Sequence, residues 1–163
     1  IISSHLDGVI PLFEEAGCNI KVRNSKLKID SPNRLKPFKS VRTMPYPGFP
    51  TDAQAVMMSV ATVAKGTTVF VENIFESRYR HVEDLTRLGA NIKVANKVAV
   101  VEGVDRLFGA KVVAKELRGA AALVVASLKA EGRTEIEGIK YLERGYEDLE
   151  VVLSSLGANI RKV

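Results

Sequence analysis

A carboxylate stands at the end of a stiff bend in this chain: Pro47-Gly48-Phe49-Pro50-Thr51-Asp52, with Pro45 just upstream. Proline fixes φ and glycine permits tight turns, so the segment presents Asp52 in a defined place. A helical pattern begins at once. Thr51 and Gln54 have the spacing of a capping box, which makes Asp52 about the first residue of a helix. The macrodipole favours an acid there by roughly 0.3–1 kcal/mol, so a helix-start role alone would account for Asp52. Arg78, Arg118 and Arg144 need more explanation. All three fall at or just before expected helix starts, where a cation is locally unfavourable. Guanidinium forks beside helix N-termini suit phosphate and carboxylate groups. Ion pairing is the competing explanation: Arg78 with Glu76, Arg118 with Glu116, Arg144 with Glu143.

The elements that must position these residues recur along the chain. Ala16–Val22 (AGCNIKV), Leu88–Val94 (LGANIKV) and Leu156–Val163 (LGANIRKV) are similar. Each follows a helical pattern, each has a glycine (Gly17, Gly89, Gly157) where a helix C-cap is expected, and a short strand is expected after each. Ala55–Thr68 lines up with Ala121–Thr134 at an offset of 66 residues. Strand patterns follow at Val69–Ile74 and Glu135–Ile139, and second helices start near Tyr79 and Tyr146. The same offset pairs Asp52 with Arg118 and Arg78 with Arg144. The unit occurs nearly twice, with the tail of another copy at the start. Asp30-Ser31-Pro32-Asn33 has the composition of a hairpin loop. Leu117–Lys129 is apolar almost all round its axis, so it is expected to be buried. Buried helices wrapped by small sheets fit this pattern better than a sheet between helices, which needs longer apolar strands.

Composition narrows the class. At 163 residues the chain is one domain's worth, or two small ones, with the composition of a globular protein. No apolar run nears the roughly 20 residues of a membrane helix, so no membrane span is expected. Cys18 is the only cysteine, which excludes an internal disulfide and suits a reducing, cytoplasmic setting. It is expected to be a small buried residue at a helix–strand junction. His5 and His81 have no second ligand at metal-binding spacing, so no metal site is expected. The net charge of +5 is compatible with anionic ligands. A basic nucleic-acid-binding α/β repeat module is the alternative, but the cluster Lys21, Arg23, Lys26 and Lys28 has no interleaved aromatics. A non-catalytic scaffold would leave Asp52, Arg118 and Arg144 scattered. The chain begins without Met and in mid-element, as a piece of a longer protein would.

Four motifs carry a resemblance over nearly the whole chain. PYPGFPTDAQA, FESRYRHVEDLTRLGANI, ELRGAAALVVA and ERGYEDLEVVLSSLGANI resemble, in order and spacing, the C-terminal part of the UDP-N-acetylglucosamine enolpyruvyl transferases. The resemblance implies an inside-out α/β barrel domain built of βαβαββ-type units, here residues 1–163 with an incomplete first repeat. It implies transfer of the enolpyruvyl group of phosphoenolpyruvate to the 3-hydroxyl of UDP-N-acetylglucosamine, in peptidoglycan synthesis and without a cofactor. Asp52 matches the residue that contacts the sugar hydroxyl and is proposed to take its proton. Ile74 matches a backbone contact to the nucleotide. Arg118 and Arg144 match arginines near the phosphoenolpyruvate phosphate and carboxylate, Arg78 a further arginine, and Glu116 an acidic neighbour. A helix start and nearby arginines favour the charged carboxylate and weaken it as a base, so Asp52 as base and Asp52 as positioner both stay open. The family's reactive Cys loop and Lys-Asn pair belong to an N-terminal domain absent here. Cys18 does not match that Cys, and Ser77 replaces the usual Asn. The isolated chain is therefore expected to be inactive, with no nucleic-acid partner.

Overall fold

The computed structural model describes residues 1–163. A short 3₁₀ turn, Ser3–Leu6, precedes α1 (Ile10–Glu15), β1 (Asn19–Arg23) and β2 (Lys26–Asp30). Next come β3 (Ser40–Arg42), α2 (Thr51–Ala61), β4 (Thr67–Val71), α3 (Val82–Arg87), β5 (Asn91–Ala95) and β6 (Val98–Glu102). They are followed by β7 (Leu107–Phe108), β8 (Lys111–Val113), α4 (Leu117–Ser127), β9 (Ala130–Glu131), β10 (Glu135–Glu137) and α5 (Leu149–Ser155). The run from β3 to β6 is one complete βαβαββ unit. The run from β8 to α5 repeats its first four elements, with α2 and α4 starting 66 residues apart. The opening segment α1-β1-β2 matches α3-β5-β6.

Each long helix is the crossover of a parallel strand pair. β3 lies parallel to β4 on either side of α2, and β8 parallel to β10 on either side of α4. Parallel neighbours cannot be joined by a tight hairpin, so a helix bridges them. β4 then pairs antiparallel with β6, and β6 with β5, giving a four-stranded sheet of order β3-β4-β6-β5. The two crossover helices pack on each other. Small residues are buried on both: Ala55, Ser59 and Ala61 on α2, and Gly119 through Ala122 with Ala126 on α4. Small side chains let the backbones approach, and the Ser59 hydroxyl donates across to the Ala122 carbonyl at 2.7 Å. Phe38, Met58, Phe70, Leu85, Leu88 and Leu123 fill the core around this pair. The helices are inside and the sheets outside, as an inside-out α/β barrel requires.

The three glycine motifs end their helices in the same way. The φ angles of Gly17, Gly89 and Gly157 are 98°, 95° and 96°. After each, the N–H of the next residue reaches back over the last turn: Cys18 to Phe13 O, Ala90 to Leu85 O and Ala158 to Leu153 O. This is the Schellman cap, whose left-handed residue only glycine adopts at no steric cost. Cys18 is buried between α1 and β1, and burial pushes its thiol up.

Several sequence-based boundaries are corrected. The hairpin turn of β1 and β2 is Asn24-Ser25, both with positive φ, whereas residues 30–33 end β2 and begin the passage to β3. Asn and Ser serve there because a two-residue hairpin needs left-handed backbone. Residues 158–163 form no strand, because no other strand pairs with them. β4 stops at Val71 instead of Ile74, since the Asn73 N–H goes to the Thr43 hydroxyl and the Ile74 and Phe75 N–H groups go to the Glu72 side chain. The second strand ends at Glu137 because Gly138 turns into the left-handed region and starts a 3₁₀ turn. The second helices begin at Val82 and Leu149, each after a turn through the expected start.

Gly103 marks the tightest approach in the fold. A Cβ at that position would lie 1.7 Å from the Ala64 carbonyl oxygen, a backbone atom with no freedom to retreat. Gly103→Ala is expected to destabilise the protein by about 2 kcal/mol or more, read as a lower urea midpoint with unchanged slope.

Candidate functional site

Three segments meet at the starts of the crossover helices. The first is the loop from β3 into α2, eight residues long (43–50) where the matching loop from β8 into α4 has three (114–116). The surplus is the proline-rich bend. It closes on itself through Met44 N to Phe49 O, 3.0 Å, and Gly48 N to Pro45 O, 2.8 Å. Phe49 plugs it into the core. The second is the turn from Glu72 to His81, and the third is the first turn of α4.

Glu72 ties the first two together. It is buried, 1% exposed, directly after the last residue of β4. Its Oε1 accepts from the Thr43 hydroxyl (2.8 Å) and from the backbone N–H groups of Ile74 (2.9 Å) and Phe75 (3.1 Å). Its Oε2 accepts from the Thr51 hydroxyl at 2.9 Å. A buried carboxylate is tolerable only when its lone pairs are filled in this way. The expected capping box is therefore absent. Pro50 is the N-cap of α2, Thr51 turns its hydroxyl to Glu72, and the Gln54 side chain is buried without a partner. Asp52 becomes the second residue of the helix. Sequence analysis missed Glu72; the signal was one acid closing the apolar run Val69–Val71.

On this frame Asp52, Arg78 and Arg118 converge. Arg78 Nη2 donates to Asp52 Oδ1 at 3.1 Å, and Arg118 Nη2 to Asp52 Oδ2 at 2.8 Å. The two guanidinium groups thus share one carboxylate, which sits between them as a ligand anion would. Hydrogen bonding to Asp52 holds Arg118 still more firmly protonated. The Arg78 guanidinium also lies over the Phe75 ring, 5.1 Å from its centroid. Neither arginine pairs with the neighbour suggested by sequence. Glu116 instead caps α4, its oxygens accepting from the Gly119 N–H (2.5 Å) and the Arg118 N–H (3.1 Å). Glu143 pairs with Lys162.

The other candidates lie nearby without joining the cluster. Arg144 is exposed and makes no ion pair. The next residue, Gly145, packs against Leu117: a Cβ there would lie 3.0 Å from Leu117 Cδ2, so Arg144 flanks the start of α4. The Ile74 N–H is taken by Glu72, and its carbonyl accepts no hydrogen bond within the chain, so the carbonyl is the group it can offer a ligand. Of the three residues that a scaffold would leave scattered, Asp52 and Arg118 meet and Arg144 stands apart. The basic cluster lies on the β1–β2 hairpin, with Lys21 opposite Lys28 and Arg23 opposite Lys26. None of these four bonds to the arginine cluster. No helix is long and apolar enough to cross a membrane.

His81 is also buried in this region, with neither ring nitrogen hydrogen-bonded. Burial, and then the charge of Arg78, push it down to about 4. Its unfolded value is near 6.5, so the unfolded chain binds the proton first as pH falls. Stability is then expected to drop between pH 6.5 and 4 by about 3 kcal/mol from this group and to be flat above 6.5. Urea unfolding at stepped pH, wild type against His81→Gln, should show that slope only in the wild type. Glu72→Ala strands two hydroxyls and two backbone N–H groups, and a loss of about 3 kcal/mol or more is expected by urea unfolding at pH 7.

Comparison with known proteins fits this geometry. The enolpyruvyl transferase NikO from Streptomyces tendae superposes with a TM-score of 0.86 and 29% identity, over 96% of this chain and 36% of NikO. EPSP synthase from Acinetobacter baumannii shares the fold, with a TM-score of 0.65 at 16% identity, over 94% of this chain and 36% of that one. UDP-N-acetylglucosamine 1-carboxyvinyltransferase 2 of Caldanaerobacter subterraneus subsp. tengcongensis is 47% identical over 99% of this chain and 39% of its own length. UDP-N-acetylglucosamine 1-carboxyvinyltransferase of Desulfofundulus thermocisternus is 48% identical over 98% of this chain and 65% of its own length. The chain thus spans well under two thirds of most of the curated relatives it matches. Residues 2–153 match the family described as EPSP synthase (3-phosphoshikimate 1-carboxyvinyltransferase), and the chain belongs to that family.

Proposed function

We propose that this chain is the C-terminal-type domain of a UDP-N-acetylglucosamine 1-carboxyvinyltransferase and carries half of its active site. The observation that carries the reading is the Asp52–Arg78–Arg118 cluster: one carboxylate held between two guanidinium forks at paired helix starts. Relatives of that name, 43–48% identical over 98–100% of the chain, support the substrate assignment.

Phosphoenolpyruvate is small and highly anionic, so forked cations suit its phosphate and carboxylate. Arg118 and Arg78 are the primary ligands in this reading, with Arg144 joining from its exposed position. The sugar 3-hydroxyl adds to the central vinyl carbon while a proton reaches the methylene carbon. The tetrahedral intermediate then loses phosphate and that carbon gives up a proton, restoring the double bond. Fixed guanidinium groups stabilise the charge that shifts onto phosphate. Asp52, once released from the arginines, accepts the hydroxyl proton or orients the hydroxyl. The Ile74 carbonyl contacts the nucleotide, and Glu116 acts through the α4 cap that fixes Arg118. A second, N-terminal domain of the same enzyme supplies the remaining groups, so the isolated chain is inactive. The reaction belongs to cytoplasmic peptidoglycan synthesis and needs no cofactor.

Phosphate release from phosphoenolpyruvate and UDP-N-acetylglucosamine tests this. The full-length protein should turn over, and Arg118→Ala should lower its kcat/KM for phosphoenolpyruvate by about a hundredfold. Turnover by residues 1–163 alone would refute the half-site. Near-normal turnover of full-length Asp52→Asn would exclude an essential base and leave the positioning role.

A further inference from the structure

Seven buried side-chain polar atoms lack a hydrogen-bond partner, and five of them belong to Gln54, Arg78 and His81. Such groups cost stability, so their gathering beside one cluster calls for a reason. His81 is 3% exposed and sits at the end of the turn that carries Arg78, three residues on. On its other side it meets α4: a Cβ on Gly119 would lie 3.0 Å from His81 Cβ and 2.7 Å from Glu116 Oε1. Gly119 directly follows Arg118. His81 therefore fills the space between the two segments that carry the two guanidinium groups.

Resting on the transferase reading above, we propose that His81 is a positioning residue for phosphoenolpyruvate binding: wedged between the Arg78 turn and the first turn of α4, it sets the separation of the two guanidinium groups and offers the buried Arg78 Nε–H an acceptor when Arg78 leaves Asp52 for the substrate anion. Arg78 Nε is buried and unpaired in this arrangement, as are both ring nitrogens, so a donor and an acceptor stand one turn apart. A neutral imidazole can do this without repelling the cation, and burial beside Arg78 keeps the ring neutral. The bare backbone of Gly119, the residue after Arg118, is what lets His81 pack so close to α4. His81 touches no substrate in this scheme; it acts through Arg78 and α4.

Steady-state kinetics of the full-length protein separate positioning from mere packing. His81→Leu fills the space without an acceptor and should raise KM for phosphoenolpyruvate about tenfold or more, with kcat within about threefold. His81→Gln restores an acceptor and should return KM to within about threefold of wild type. Equal KM changes in the two variants, or none in either, overturn the inference while wild-type turnover leaves the transferase reading intact. An inactive wild type refutes the transferase reading itself. If circular dichroism shows His81→Leu unfolded, His81→Ala against His81→Gln gives the same two outcomes.

Discussion

The site rests on one buried carboxylate that touches no other charge. Glu72 gathers the Thr43 and Thr51 hydroxyls and the Ile74 and Phe75 N–H groups into a single knot. That knot fixes where β3 ends, where α2 begins and how the chain leaves β4. Three otherwise separate segments thereby become one frame, with Asp52 on one member and Arg78 on another. An ionised group in the interior is stable only with its lone pairs filled, and here four short donors fill them. The same bonds end the sheet: Ile74 and Phe75 give their N–H groups to Glu72 and have none left for a ladder. Tyr79 completes the frame from outside, its hydroxyl donating to the Phe70 and Lys97 carbonyls and pushed up to about 12 by burial and by Glu72.

Much of the fold was legible because the chain repeats itself. The offset of 66 residues predicted α2 and α4 as equivalents, and both are 11-residue crossover helices. The apolar circumference of Leu117–Lys129 foretold burial, and the three glycines foretold three Schellman caps. Boundaries failed where side chains compete with the backbone. Glu72 shortened a strand, Asn24-Ser25 made a turn without proline or glycine, and Thr51 gave its hydroxyl to a distant carboxylate rather than its own helix. Local spacing cannot see such long-range partners.

The site was legible in part. Arginines at helix starts stood out because the macrodipole disfavours them, and two of the three do converge with Asp52. Their partners did not follow from proximity in sequence. Two of the three nearby acids were engaged elsewhere: Glu116 by the α4 backbone and Glu143 by Lys162. Asp52 was the partner instead, 26 residues from Arg78 and 66 from Arg118. The burial of His81 and Gln54 carried no sequence signal, since a lone polar residue in a helical pattern looks the same whether it faces water or the core.

Asp52 and Arg118 occupy the same position in successive copies of one unit, and the fold brings those positions within 2.8 Å. Equivalent residues in a closed ring of repeats face each other across its axis. A perfectly regular ring would therefore set like against like there. Two acids would repel each other, and two arginines would repel each other as well. Here the two copies differ at this position and an acid meets an arginine instead, so the break in internal symmetry is the source of the site's polarity. A designer regularising these repeats toward a consensus would have to leave this position unequal.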